Sequence, residues 1–359
     1  MKLFDLDTPA LAVDLNRMES NLRRMADYAR EHELRVRPHT KTHKSPLLGR
    51  KQLDLGAVGL TVAKPTEAEV MLGAGSPDLL IAFPTIGAAK MERLKHLSRQ
   101  VRLTVALDSY EAAQSLSEAG VKARVLVEMD AGLHRVGVAP EDLLGLVGRI
   151  RQLPNIEYDG ISFYPGHIKE LGEEGMGRIE TLNVLVSEKV EELRRAGHEP
   201  RLVSGGSTPT MWHSHRIEAM NEIRPGTYIF NDRNTIRSGA CTMEDCAATV
   251  IVTVISTAYP GQVLVDGGSK TFSSDRLLND PGVTFGKVLN APGALFQKMN
   301  EEHGFIDVTK CARGFRVGDK LEILMNHVCV VMNLHEQAWG HRNGEVEISW
   351  AIAGRGKLN

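Results

Sequence analysis

Eight short apolar, β-branched runs alternate with helix-period segments through the first two thirds of the chain, and this alternation constrains the fold more than any other feature. The runs are Arg35–His39, Ala57–Ala63, Asp78–Pro84, Arg102–Asp108, Ala123–Asp130, Tyr158–Gly166, Arg201–Gly206 and Glu222–Phe230. Strands bridged by helices run parallel, because each crossover returns the chain to the same end. Eight such units is the number in a (β/α)8 TIM-like barrel, an α/β fold. In the first helical segment Leu15, Met18, Leu22, Met25 and Ala29 recur every three or four residues and line one face. A longer one, Gly175 to Ala196, offers Leu182, Val184, Leu185, Val190 and Leu193 for burial. Nearly every run ends in polar or glycine residues, such as His39-Thr40-Lys41, Asp130-Ala131-Gly132, Pro165-Gly166-His167 and Gly205-Gly206-Ser207. In a barrel these ends meet at the face that hosts chemistry. Polar residues also mark loops in any α/β protein, so a doubly wound sheet is the competing architecture.

After about Asp232 helical periodicity fades. Ala247–Ser256, Gln262–Val265, Lys320–Leu324, Val328–Leu334 and Val346–Ile352 read as strands, separated by turns such as Pro260-Gly261, Gly318-Asp319 and Asn343-Gly344. The last dipeptide predicts a tight type I′ hairpin. The division is therefore a barrel over 15–235 and a mostly β domain formed by 1–14 and 236–359. Pro9–Val13, strand-like and ahead of the first helix, is expected to pair into the β domain. A length of 359 residues suits one large domain plus a smaller one.

The charge balance of 43 Lys plus Arg against 45 Asp plus Glu gives no electrostatic reason to expect nucleic acid or an anionic membrane as partner. The N-terminus carries no signal-peptide core, and no apolar stretch reaches membrane-spanning length. Four cysteines, Cys241, Cys246, Cys311 and Cys329, do not make a disulfide scaffold in a chain this long. The expected compartment is the cytoplasm.

Three segments carry candidate chemistry. Arg37-Pro38-His39-Thr40-Lys41-Thr42-His43-Lys44 ends the first barrel strand. A lysine there sits at the barrel mouth, where partial burial frees its amine for Schiff-base chemistry; the plainer reading is a solvated basic loop. Ser204-Gly205-Gly206-Ser207-Thr208 ends the seventh strand, a position where barrels bind phosphate; a glycine pair also marks simple turns. His327-Val328-Cys329 lies in a strand-like run, where residues i and i+2 share a face. A thiolate and an imidazole form a borderline-soft site that favours zinc, and two protein ligands leave positions open for water and substrate. The alternative is a buried cysteine beside a surface histidine.

With these segments in view, the chain resembles the D-threonine aldolase / D-serine dehydratase family of fold-type III pyridoxal-phosphate enzymes, from Thr8-Pro9-Ala10 to Trp350. That family joins an alanine-racemase-like barrel to a C-terminal β domain. The resemblance implies that Lys41, not Lys44, holds pyridoxal 5'-phosphate, and that Gly205, Gly206, Ser207 and Thr208 bind its phosphate. It implies further that Arg135, in the segment from Glu128 to Gly137, contacts the cofactor or substrate. Tyr164 and Tyr228, the latter in Arg224-Pro225-Gly226-Thr227-Tyr228, become pocket residues. His327 and Cys329 match the family's metal pair, for a divalent ion, zinc or manganese.

The implied substrate is a β-hydroxy-D-amino acid. Two outcomes are open: retro-aldol cleavage to glycine and an aldehyde, or dehydration to a keto acid and ammonia from D-serine or D-3-hydroxyaspartate. Cys329 resembles the zinc-dependent dehydratase branch, while Tyr164-Pro165-Gly166-His167 looks more like aldolase-type relatives; the reading leans to the aldolase. His167 titrates near neutral pH and is the candidate base for the hydroxyl, with a structural histidine as the alternative. A racemase would need bases on both cofactor faces and no metal pair. Non-catalytic pyridoxal-phosphate-binding barrels lack the second domain. The resemblance also implies a homodimer.

Overall fold

A first strand, β1 (Ala10–Asp14), leads into a helix over Leu15–Glu31. Met18, Leu22, Met25 and Ala29 of that helix are buried, as their spacing requires. The computed structural model describes residues 1–277 and 284–359. They form two units: Met1–Leu22, Thr42–Lys44 and Thr227–Arg355 in one, and Arg23–Lys41, Ser45–Gly226 and Gly356–Asn359 in the other. Among the described residues no helix is long and apolar enough to cross a membrane.

Each of the eight predicted runs contains a strand. These are β2 (Arg35–Val36), β3 (Leu60–Val62), β4 (Asp78–Ile81), β5 (Arg102–Leu107), β6 (Ala123–Met129), β7 (Ile156–Phe163), β8 (Leu202–Gly205) and β9 (Glu222–Ile223). All pair parallel, in the order β2-β9-β8-β7-β6-β5-β4-β3. The two end strands meet beyond their ladders. Thr40 N–H donates to Thr61 O at 2.8 Å and Thr61 N–H to Pro38 O at 2.9 Å, with a parallel bridge between His39 and Thr61. The sheet curls back on itself, which an open doubly wound sheet does not do. β2 and β9 are much shorter than their runs because Pro38 and Pro225 follow them and donate no ladder hydrogen bond. Leu80, Ala106, Leu126 and Leu202, from four of the strands, pack into one apolar cluster.

Charge is also buried here. Arg37 donates from Nε to Glu222 at 2.9 Å and from Nη1 to Asp78 at 2.6 Å, with all three side chains nearly inaccessible. Arg124 bonds Asp78 and reaches Asp159 at 3.0 Å, and Arg201 reaches Asp159 at 2.8 Å. Buried ions are tolerated when each is paired in this way.

The other unit is built on nine strands: β1 with β10 (Ala248–Ser256), β11 (Gln262–Val265), β12 (Gly286–Val288), β13 (Leu295–Met299), β14 (Gly304–Asp307), β15 (Lys320–Met325), β16 (Gln337–Arg342) and β17 (Glu345–Ala351). Their order is β11-β14-β13-β12-β15-β10-β1-β16-β17, and β11 also pairs with β10. β1 pairs antiparallel with β10 and parallel with β16, so the opening segment does join the β sheet. Asn343 and Gly344, with φ of 51° and 82°, make the two-residue turn between β16 and β17.

One expected strand is a helix. Val328–Leu334 coils, and its buried residues Val328, Val331 and Met332 fall at the i, i+3, i+4 spacing of one helical face. The fully buried Asp232 carboxylate accepts the Val328 N–H at 2.9 Å, satisfying a donor at the helix start. Here packing and capping outweigh the β-propensity of three valines.

Candidate active site

Lys41 lies just beyond β2, at the C-terminal end of the barrel strands. It is half-buried, and its ammonium has no hydrogen-bond or ion-pair partner among the described residues. Lys44 differs: it is buried, holds a left-handed φ of 49°, and donates from Nζ to Gly354 O at 3.3 Å. Of the two lysines, Lys41 has the available amine.

The loop after β8 depends on its glycines. A Cβ on Gly205 would stand 2.4 Å from the Phe163 ring, and Gly206 adopts φ +87°. Gly205 to Thr208 are all buried. Ser207 Oγ lies 3.1 Å from Thr210 Oγ1, and Thr208 Oγ1 accepts the Gly226 N–H at 3.3 Å. The N–H groups of Gly206 and Ser207 donate to no described residue. Buried N–H groups left open beside two hydroxyls form an anion cradle, and a phosphate ester fits it.

Arg135 and Tyr164 meet: the guanidinium lies over the ring, 4.9 Å from its centroid. The turn that carries Arg135 is shaped by Asp130, whose Oδ1 accepts N–H groups of Gly132, Leu133 and His134 at 3.0 to 3.1 Å. Burial works against that carboxylate, but these bonds and His134 outweigh it and hold its pKa below the usual range. His167 packs on the same turn, since a Cβ on Gly132 would lie 3.2 Å from its Cε1. Its Nδ1 is buried without a partner among the described residues. Burial and the Arg178 charge depress its pKa below the ordinary 6.5, so the ring is neutral at pH 7 and able to accept a proton.

Two charged residues in this region had not been singled out from the sequence. Glu128 is half-buried and bonded by Ser162; desolvation raises its pKa against the pull of Arg224. Arg224 donates to Ser204 O at 2.8 Å, Ser204 Oγ at 2.6 Å and Phe163 O at 3.3 Å, tying together the ends of β7 and β8. The signal available was a charged residue inside an otherwise apolar run.

Tyr228, His327 and Cys329 belong to the unit built on the nine strands. Tyr228 is buried in the turn Thr227–Ile229. His327 stands at the N-cap of the 328–334 helix and Cys329 in its first turn, so the pair shares a helix start instead of a strand face. Cys329 Sγ lies 3.2 Å from Thr42 Oγ1 and 3.5 Å from Thr227 Oγ1. His327 Nδ1 is 2.6 Å from Asp275 Oδ2, so the carboxylate fixes the orientation of the ring. Burial disfavours the imidazolium, but Cys329, Asp232 and Asp275 overcome it and push the His327 pKa up to about 10. The imidazole–thiol pair is of the type that suits a divalent metal with open coordination positions. No group of three or more His, Cys, Asp or Glu side chains converges for a metal among the described residues.

Residues 13–234 match the alanine racemase N-terminal domain family, and residues 247–340 match a domain of serine dehydratase type. D-threonine aldolase from Arthrobacter sp is 31% identical, over 98% of this chain and 93% of its own length. D-threo-3-hydroxyaspartate dehydratase from Delftia sp. (strain HT23) is 33% identical, over 91% of this chain and 92% of its own. The crystal structure of D-threonine aldolase from Filomicrobium marinum superposes with a TM-score of 0.92 at 31% identity, covering 100% of this chain and 98% of that one. The aldolases and dehydratases among these relatives are pyridoxal-phosphate-dependent lyases, and one solved D-threo-3-hydroxyaspartate dehydratase variant is described as a metal-free form. The chain belongs to the alanine racemase N-terminal domain family, in the branch that joins this barrel to a serine dehydratase-type domain and contains the D-threonine aldolases and hydroxyaspartate dehydratases.

Proposed function

We propose that the protein is a pyridoxal-phosphate- and metal-dependent lyase that cleaves a β-hydroxy-D-amino acid to glycine and an aldehyde, as a D-threonine aldolase does. The observation that carries this reading is the full-length likeness to D-threonine aldolases in both sequence and fold. When bound, pyridoxal phosphate supplies an electron sink at Cα, and a divalent metal, zinc or manganese, supplies positive charge for the β-oxygen.

The chain's own residues do the rest. Lys41 holds the cofactor through its available amine. Gly205, Gly206, Ser207 and Thr208 bind the phosphate with open N–H groups and hydroxyls. Arg135, held over Tyr164, and the buried Tyr228 orient the cofactor and the substrate carboxylate. His327 and Cys329 hold the metal, and Asp275 fixes the His327 tautomer. His167 accepts the proton of the β-hydroxyl, a role its depressed pKa suits. The enzyme works in the cytoplasm as a homodimer.

The second reading is dehydration to a keto acid and ammonia, favoured by Cys329 in the metal pair and by the 33% identity to a hydroxyaspartate dehydratase. Product analysis separates the two. The purified protein, loaded with pyridoxal phosphate and zinc or manganese, is incubated with D-threonine and with D-serine. Glycine and acetaldehyde from D-threonine are expected. Keto acid and ammonia would replace the aldolase by the dehydratase, and no product from either would refute the substrate class.

A further inference from the structure

The far end of the barrel, where the strands begin, carries a second polar cleft. Five arginines, Arg35, Arg37, Arg102, Arg124 and Arg201, line a space of about 420 Å³. Three of them pair with four carboxylates. Arg37 takes Glu222 and Asp78, Arg124 takes Asp78 and Asp159, and Arg201 takes Asp159 and Glu157. The other two receive none. Arg35 reaches only the main-chain carbonyls of Asn221 and Arg201, at 3.3 and 3.4 Å. Arg102, the first residue of β5, has no hydrogen-bond or ion-pair partner among the described residues. Arg124 Nε is buried and has no acceptor among the described residues.

A structural ion network balances its charges and satisfies its buried donors. This one does neither: five guanidinium groups face four carboxylates, and a buried N–H is left over. Guanidinium forks match tetrahedral oxyanions, and a cleft with low-dielectric walls concentrates the counter-ion. We propose that this cleft is a binding site for a small phosphate-bearing anion, held by Arg35 and Arg102 and separate from the cofactor's phosphate cradle.

The test is calorimetric titration of the pyridoxal-phosphate-loaded protein, whose cofactor already fills the cradle, with inorganic phosphate, pyrophosphate and ATP at constant ionic strength. Saturable binding of one anion per chain is expected, weakened at least tenfold in Arg35→Gln/Arg102→Gln, with the cofactor absorbance unchanged. Arg102→Lys, which keeps the charge and loses the fork, is expected to fall between. Tightest binding of ATP would identify a nucleotide as the source of the phosphate, and tightest binding of inorganic phosphate the free ion. Both residues are exposed and outside the carboxylate network, so the variants should melt as the parent does in chloride; Arg102→Gln alone serves if the double variant does not. No saturable binding of any of the three anions, or binding that the substitutions leave unchanged, would overturn the proposal.

Discussion

Replacing Asp275 by alanine removes the group that orients His327 and leaves both proposed metal ligands in place. The contact is a 2.6 Å bond between a carboxylate and an imidazole, in the charge-assisted range. Loss of such a supporting partner typically weakens metal binding by roughly 10- to 100-fold, or about 1.4–2.8 kcal/mol. Here the His327 and Asp275 side chains are 38% and 43% exposed, so solvent screening places the loss at the lower end, about tenfold. Asp275→Asn keeps an acceptor without the charge and should lose less. The assay is competition for zinc between the protein and a chromogenic chelator, which reads affinity without turnover. Urea unfolding checks that the fold is intact, as the exposure of Asp275 leads one to expect. A zinc affinity within twofold of the parent in Asp275→Ala would refute the claim that this carboxylate holds the imidazole for a metal.

Other predictions follow from the same geometry. Because the fold favours neutral His167, its contribution to stability is present above the unfolded value near 6.5 and lost as pH falls through the depressed folded value. The acid limb of kcat/KM should therefore lie below pH 6.5, move upward in Arg178→Gln and vanish with most of the activity in His167→Gln. Gly206→Ala forces a side chain into φ +87°, which should cost about 1–2 kcal/mol in urea unfolding and raise the Kd for pyridoxal phosphate. Glu222→Leu takes the acceptor from the buried Arg37 Nε and leaves Asp78 as its partner, which should cost about 3 kcal/mol, whereas Arg37→Met/Glu222→Leu, which removes both charges, should cost less than that single change.

The barrel was legible because parallel strands covered on both faces are written as continuous apolar runs, and eight of them alternate with helical segments. Their ends were harder to read: β2 and β9 stop early before Pro38 and Pro225, neither of which can donate a main-chain hydrogen bond, although the run looks extended. β13 was missed because Leu295–Met299 buries only Phe296 fully and shows no clean alternation. His327 and Cys329 stand out by residue type and spacing, but the strand expected for them is a helix; the buried stripe Val328, Val331, Met332 carries the helical signal, and Asp232, 96 residues away, caps it. The ion network was not legible at all. Arg37 and Glu222 lie 185 positions apart, and a charged residue near the start of an apolar run looks like an ordinary strand boundary. Asp275 as the partner of His327 was hidden for the same reason, 52 residues distant in a segment without periodicity.

Reductive trapping shows which lysine carries the cofactor. The pyridoxal-phosphate-loaded protein is treated with borohydride, digested and mapped by mass spectrometry. The account predicts a phosphopyridoxyl group on Lys41 and an unmodified Lys44, whose amine is buried against the Gly354 carbonyl. A label on Lys44 or another lysine, or no label at all, would contradict it.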